Sequence, residues 1–209
     1  MSVWQIQAIA DRFVATGGIA VFTNGWEGRG NGMTSDYQGG VIHHTAGGNN
    51  VNIDQILISG RSDLPGPLCN FCIMYDGDLG VIAAHPANHA GASGGWDTAP
   101  LPRTNLFNKL TIGTEIQYKG TEPMAGVQYE SAKRLANAIL FVLGKQGRYE
   151  YIKFHQGTSI QGKWDPGYDA RGYTYDIGAF RRDCANMGQG EPEVGGDWLD
   201  NKLQLLGYP

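Results

Sequence analysis

Five histidines, His43, His44, His85, His89 and His155, are the side chains best suited to gather a metal ion, and their spacing limits which of them can meet. In a strand, GVIHHT sends Val41 and His43 to one face and Ile42 and His44 to the other, so only one of the adjacent pair can serve a given site. The same alternation in YIKFHQ sets Lys153 and His155 opposite Ile152 and Phe154. Each strand offers one imidazole near its end, where α/β sheets open into a ligand-binding crevice. A carboxylate for the same point is suggested by Lys163-Trp164-Asp165-Pro166-Gly167, because Pro166 fixes a turn and disfavours helix at Asp165. Two imidazoles and one carboxylate would leave the fourth tetrahedral position of Zn²⁺ open, as catalytic zinc sites require. Taken singly, each histidine reads as a hydrogen-bonded structural residue, so the argument depends on their convergence.

The elements that must hold these residues alternate between helix and strand. Val3, Ile6, Ile9, Ala10, Phe13 and Val14 recur near a helical period, and Gly17-Gly18 supplies a stop. The Gly-, Asn- and Ser-rich stretch from Asn24 to Gly40 reads as a long surface loop. GGVIHHT then forms a strand, and NVNIDQILISG a short helix. Leu68 to Met74 and Val81 to Ala84 form a hairpin around Asp76-Gly77-Asp78-Leu79-Gly80. Leu110 to Tyr118 is a further strand, in which alternation groups Glu115 with Gly113 and Gln117, away from Ile112 and Ile116. Tyr129 to Gly144 is the clearest helix, with Leu135, Ile139, Val142 and Leu143 on one face. A strand from Tyr149 to His155 and a helix from Ile177 to Met187 follow. This order predicts an α/β domain with a central mixed sheet flanked by helices. Residues 1–188 are expected to form the single catalytic domain. GQGEPEVGG begins a linker-like segment, and 189–209 ends in a short amphipathic tail carrying Trp198, Leu199, Leu203 and Leu206.

Composition narrows the partners. With 209 residues and 41% hydrophobic content, one well-buried core is affordable. A net charge of −4 and the lack of a dense Lys/Arg run exclude a field that would neutralise a row of phosphates, so nucleic acid is not an expected partner. No apolar segment approaches membrane-spanning length, and MSVWQIQAIADRF lacks the basic start and apolar core of an export signal. A soluble monomer made without a cleaved leader is expected. Cys69, Cys72 and Cys184 are too few for a disulfide framework and read as buried thiols.

Four blocks in order carry a resemblance spanning about Val41 to Gly167: GVIHHTAG, NFCIMYDGDLGVIA, NHAGASGGW with IGTEI, and FHQ followed by GKWDPG. They resemble the type 2 N-acetylmuramoyl-L-alanine amidase family, which includes phage lysins, bacterial amidases and animal peptidoglycan recognition proteins. The resemblance implies that His43, His155 and Asp165 hold one Zn²⁺ per chain. It implies that Glu115 is the catalytic carboxylate and Lys163 the lysine that steadies the oxyanion. It further places His89, with Asn88 and Trp96, along the groove for the sugar-peptide substrate, with Trp26 either in that groove or covering the core. The chain departs from the pattern after I-G-x-E, where Ile-Gln-Tyr stands near a common asparagine, and in the loop between His155 and Lys163.

The activity implied is hydrolysis of the amide between N-acetylmuramic acid and L-alanine in bacterial peptidoglycan. The setting implied is a phage endolysin held in host cytoplasm until lysis and then acting on the wall. The alternatives are a non-catalytic peptidoglycan-recognition protein, which an intact Asp165 argues against, and a cytosolic muropeptide-recycling amidase. A zinc peptidase of the H-E-x-x-H kind is excluded because that motif is missing.

Overall fold

The computed structural model describes residues 2–34 and 36–188, so the expected linker and tail at 189–209 lie outside the described residues. Helix α1, Ser2–Ala15, buries Ile6, Ile9, Ala10 and Phe13 on one face, as its period requires. Strand β1, Ala20–Phe22, follows, then a 3-10 turn at Trp26–Gly28 and strand β2, Gly39–His44. Helix α2, Gln55–Ser59, starts where the Asp54 carboxylate accepts from the Ile56 amide. Strands β3, Gly60–Arg61, and β4, Leu64–Pro65, form a small separate hairpin. Strands β5, Phe71–Ile73, and β6, Leu79–Val81, lead to α3, Phe107–Leu110, and β7, Thr111–Ile116. Helix α4, Gly126–Val142, a 3-10 turn at Tyr149–Tyr151, β8, Ile152–Phe154, α5, His155–Thr158, and α6, Ile177–Gly188, complete the order.

Six strands make one mixed sheet in the order β1-β6-β5-β7-β2-β8. Only β5 and β6 pair antiparallel; the other four pairings are parallel. Every residue of β2 is buried, as expected when both faces of a parallel sheet are covered. One face carries Ile42, Phe71, Ile73, Leu79, Val81, Ile112, Ile116, Ile152 and Phe154, packed into the main core with residues of α1, α4 and α6. The other face carries Val41, His43, Cys72, Gly113, Glu115 and Lys153, and it is this face that holds the chemistry.

The mixed sheet flanked by helices is the architecture read from the sequence, and several boundaries differ. Asn24 to Gly40 is not merely a surface loop: Trp26 and Tyr37 are buried in the core, and Trp26 packs on Phe22 with ring centroids 5.4 Å apart. The apolar area of two large rings outweighs the turn-forming bias of the glycines around them. The hairpin's return strand begins at Leu79 rather than Val81, since the Asp78 carbonyl accepts from the Met74 amide and closes the turn earlier. Helix α4 begins at Gly126 rather than Tyr129, because the Gln128 side chain accepts from the Ala125 amide at 3.1 Å and caps the first turn. The three cysteines are free and buried. No helix of the described residues is long and apolar enough to cross a membrane.

Candidate metal centre and active site

β2 and β8 are adjacent and parallel, with Val41 opposite Lys153, which brings the ends of both strands to one edge of the same face. His43 is the last but one residue of β2, and His155 follows β8 as the first residue of α5. Asp165 arrives on the loop after α5, and three contacts hold it there. The Gln156 amide donates to the Asp165 carbonyl at 3.0 Å, the Gly167 amide donates to the Trp164 carbonyl at 3.2 Å, and the Tyr118 hydroxyl donates to the Pro166 carbonyl. Gly167 has φ +112°, and a Cβ there would stand 2.4 Å from the Tyr118 hydroxyl oxygen, so the turn demands glycine.

Asp165 Oδ2 lies 3.0 Å from His43 Nδ1 and 2.8 Å from His155 Nδ1. One ligand atom from each of the three residues lies within 4.8 Å of the other two, and all three residues are buried. Burial holds the His43 imidazole down at about 4, assisted by the charge of His155, so the ring is neutral near pH 7. Burial pushes the Asp165 carboxyl upward, but the adjacent His155 and His43 pull harder and hold it far below the ordinary carboxylate range.

The donor set fits a metal ion on chemical grounds. His155 Nε2 faces the Ala90 carbonyl at 3.2 Å; a carbonyl only accepts, so Nε2 carries a ring proton, and in a singly protonated ring Nδ1 presents a lone pair. That lone pair points at an ionised carboxylate oxygen 2.8 Å away. A proton or a metal ion between them removes the repulsion, and with a second imidazole nitrogen the group offers a three-ligand set of the kind Zn²⁺ uses in open sites.

Glu115 is the register partner of His43 on β7, and its Oε2 is buried without a hydrogen-bond partner. Burial pushes its carboxyl well above the usual range; the charge of Asp165 adds to this, while Arg61 and Lys163 oppose it. Lys163 is exposed on the loop two residues before Asp165. His89 sits against the metal group, with Nδ1 3.1 Å from His43 Nε2. Asn88 ties the same loop to the β3–β4 hairpin by donating to the Pro65 carbonyl at 2.9 Å. Trp96 is 72% exposed, close to Gly157 of α5. The other of the paired histidines, His44, meets Trp164 edge-on with ring centroids 4.3 Å apart.

Two features escaped sequence reasoning. Asn70, fully buried, donates to the Tyr37 hydroxyl and to the Ala83 and His85 carbonyls and accepts from the Gly113 amide, joining β5, β7 and the chain beyond β6. Lys153, Arg181 and Asp97 form an ion cluster that fastens the Trp96 loop to β8 and α6. Lys153 was legible as a residue of the His155 face, but its partners are remote in sequence and carry no local signal.

A comparison with curated proteins finds no match. Among solved structures, the endolysin N-acetylmuramoyl-L-alanine amidase LysCS from Clostridium intestinale shares the fold with a TM-score of 0.52 at 17% identity, covering 79% of this chain and 95% of its own. AmpDh3 from Pseudomonas aeruginosa gives a TM-score of 0.52 at 18% identity, covering 83% of this chain and 68% of its own. The family model described as N-acetylmuramoyl-L-alanine amidase matches residues 33–168, a span that contains His43, Glu115, His155 and Asp165. By that match, and with the fold in agreement, the chain belongs to the type 2 N-acetylmuramoyl-L-alanine amidase family, hydrolases of peptidoglycan.

Proposed function

We propose that this protein hydrolyses the amide between the lactyl carbonyl of N-acetylmuramic acid and the nitrogen of L-alanine, with one Zn²⁺ held by His43, His155 and Asp165. The observation that carries the reading is the convergence of His43 Nδ1 and His155 Nδ1 on Asp165 Oδ2 beside Glu115, whose buried Oε2 has no hydrogen-bond partner. Bound there, Zn²⁺ supplies Lewis acidity that lowers the pKa of water to about 7 and polarises a carbonyl.

The chain's own residues then divide the proton work. Glu115 takes a proton from the attacking water, whose oxygen bonds to the lactyl carbon, and passes that proton to the alanine nitrogen as the C–N bond breaks. A carboxyl raised by burial and by Asp165 is suited to hold a proton between those two events. Lys163 offers its ammonium to the oxyanion that develops on the carbonyl. Asn88, His89 and Trp96, from one loop, flank the centre on the side of the sugar-peptide groove. Trp96 presents the exposed aromatic surface, while the His89 ring nitrogens face His43 and Thr111.

The partner is bacterial peptidoglycan, and we read the biological role as that of a phage endolysin acting on the wall at lysis; LysCS, of similar fold, is an endolysin. Purified walls incubated with the protein and Zn²⁺ should release free L-alanine amino termini without new reducing sugar ends. New sugar ends would replace this reading with a glycosidase. A lysin should act faster on intact walls than on soluble muropeptides, and the reverse preference would overturn the lytic role.

A further inference from the structure

His89 has both ring nitrogens engaged, and the identity of its partners fixes where the protons are. Its Nε2 lies 3.2 Å from the Thr111 carbonyl oxygen, which can only accept. The Thr111 hydroxyl, 3.5 Å from the same nitrogen, already donates to the Phe107 carbonyl at 2.8 Å and has no second proton to give. His89 Nε2 therefore carries the ring proton. With Zn²⁺ taking the Nδ1 lone pair of His43, as proposed above, that ring keeps its proton on Nε2, and the acceptor 3.1 Å away is His89 Nδ1. The neutral His43 ring then has its remaining lone pair on Nδ1, which faces Asp165 and His155.

We propose that His89 is a positioning residue: a proton relay order running from the Thr111 carbonyl through His89 to His43 fixes the tautomer and ring angle that present His43 Nδ1 to the metal. The inference rests on the reading of His43 as a zinc ligand and adds to it a residue outside the ligand set. The next residue does the same for the second imidazole, since the Ala90 carbonyl accepts from His155 Nε2. One short loop thus sets the tautomers of both histidine ligands. Its seat is built for this. The Ala90 and Gly91 amides donate to Asn108 Oδ1 at 2.8 and 3.1 Å, and the Asn88 amide donates to the Pro67 carbonyl at 2.8 Å. Beneath the His89 ring stands Gly113, where a Cβ would lie 2.4 Å from His89 Cγ, so β7 leaves room for the imidazole only with glycine at that position.

Outer hydrogen bonds of this kind typically alter metal affinity about 10- to 100-fold. His89→Leu should weaken Zn²⁺ binding by that factor in a chelator competition. His89→Asn, whose side-chain oxygen can accept from His43 Nε2, should recover most of the loss, which a merely space-filling role would not explain. In the ¹⁵N-histidine-labelled, zinc-loaded wild type, a scalar coupling across the hydrogen bond between His43 Nε2 and His89 Nδ1 is expected. Equal zinc affinity in wild type and His89→Leu, or a ring proton found on His43 Nδ1, overturns the proposal. A wild type that binds no zinc would sink the metal-centre reading instead. In that metal-free protein the one-bond ¹⁵N–¹H coupling would still decide the relay, a ring proton on His43 Nε2 supporting the order of protons and one on His89 Nδ1 refuting it.

Discussion

His43 and Glu115 are register partners on adjacent parallel strands, so an imidazole of the candidate metal group and a carboxylate whose buried Oε2 has no hydrogen-bond partner project side by side from one face. Neighbouring strands stand about 4.8 Å apart, which places a proton acceptor beside the metal-binding point without any loop having to close. The arrangement is set by strand pairing and is therefore rigid.

Glu115→Gln preserves shape and removes the proton acceptor. Turnover on purified walls should fall about 10²- to 10⁴-fold, the usual contribution of a positioned general base. Zinc content and thermal midpoint should match the wild type. An active variant would take Glu115 out of the mechanism.

Asp165→Ala leaves two imidazoles and no anion, too few for a stable open zinc site. Metal analysis after dialysis should fall from one zinc per chain to nearly none, while chelation of the wild type should abolish cleavage and added Zn²⁺ restore it. Unchanged zinc in the variant refutes the third ligand.

Asn70→Ala strips partners from the Gly113 amide and from two carbonyls in a fully buried setting. Leaving such groups unpaired costs about 1–3 kcal/mol each before relaxation, so we expect a loss of about 2–4 kcal/mol in urea unfolding. A loss below about 0.5 kcal/mol, the usual range for surface substitutions, would mean that the hub is replaceable.

Lys153 is held down at about 8 by burial, which outweighs the pull of Asp97. Its folded value lies below the ordinary 10.5, so between these values the unfolded chain binds more protons and stability from this group rises with pH. Relative to Lys153→Met, which has no titrating group there, the wild-type melting temperature should gain as pH is raised from 8 to 10. Parallel melting curves for the two proteins across that range would refute the assignment.

Much of the catalytic face was legible because strand alternation is local. GVIHHT, TIGTEI and IKF each state which residues share a side, and the structure keeps those groupings; the strand expected from Tyr149 to His155 is shorter, with a 3-10 turn at Tyr149–Tyr151 and His155 opening α5. The α4 and α6 helices were legible for the same reason, since a 3.6-residue period is written within a few turns. Strand β1 was not, because three residues cannot display a period and it is held by its parallel pairing with β6. Trp26 and Tyr37 lay in a glycine-rich run whose composition argues for solvent, and only the core they fill explains their burial.

The sequence by itself determined which residue types were available, which face of a strand each occupied and where Pro166 would turn the chain. Tertiary structure alone decided the strand order that sets β7 against β2, and with it the neighbours of His43: Glu115 beside it, Asp165 at one ring nitrogen and His89 at the other. Alternation and turn chemistry act over a few residues. The proton on an imidazole depends on what sits 3 Å from each nitrogen, and those partners come from 46 and 122 positions away along the chain.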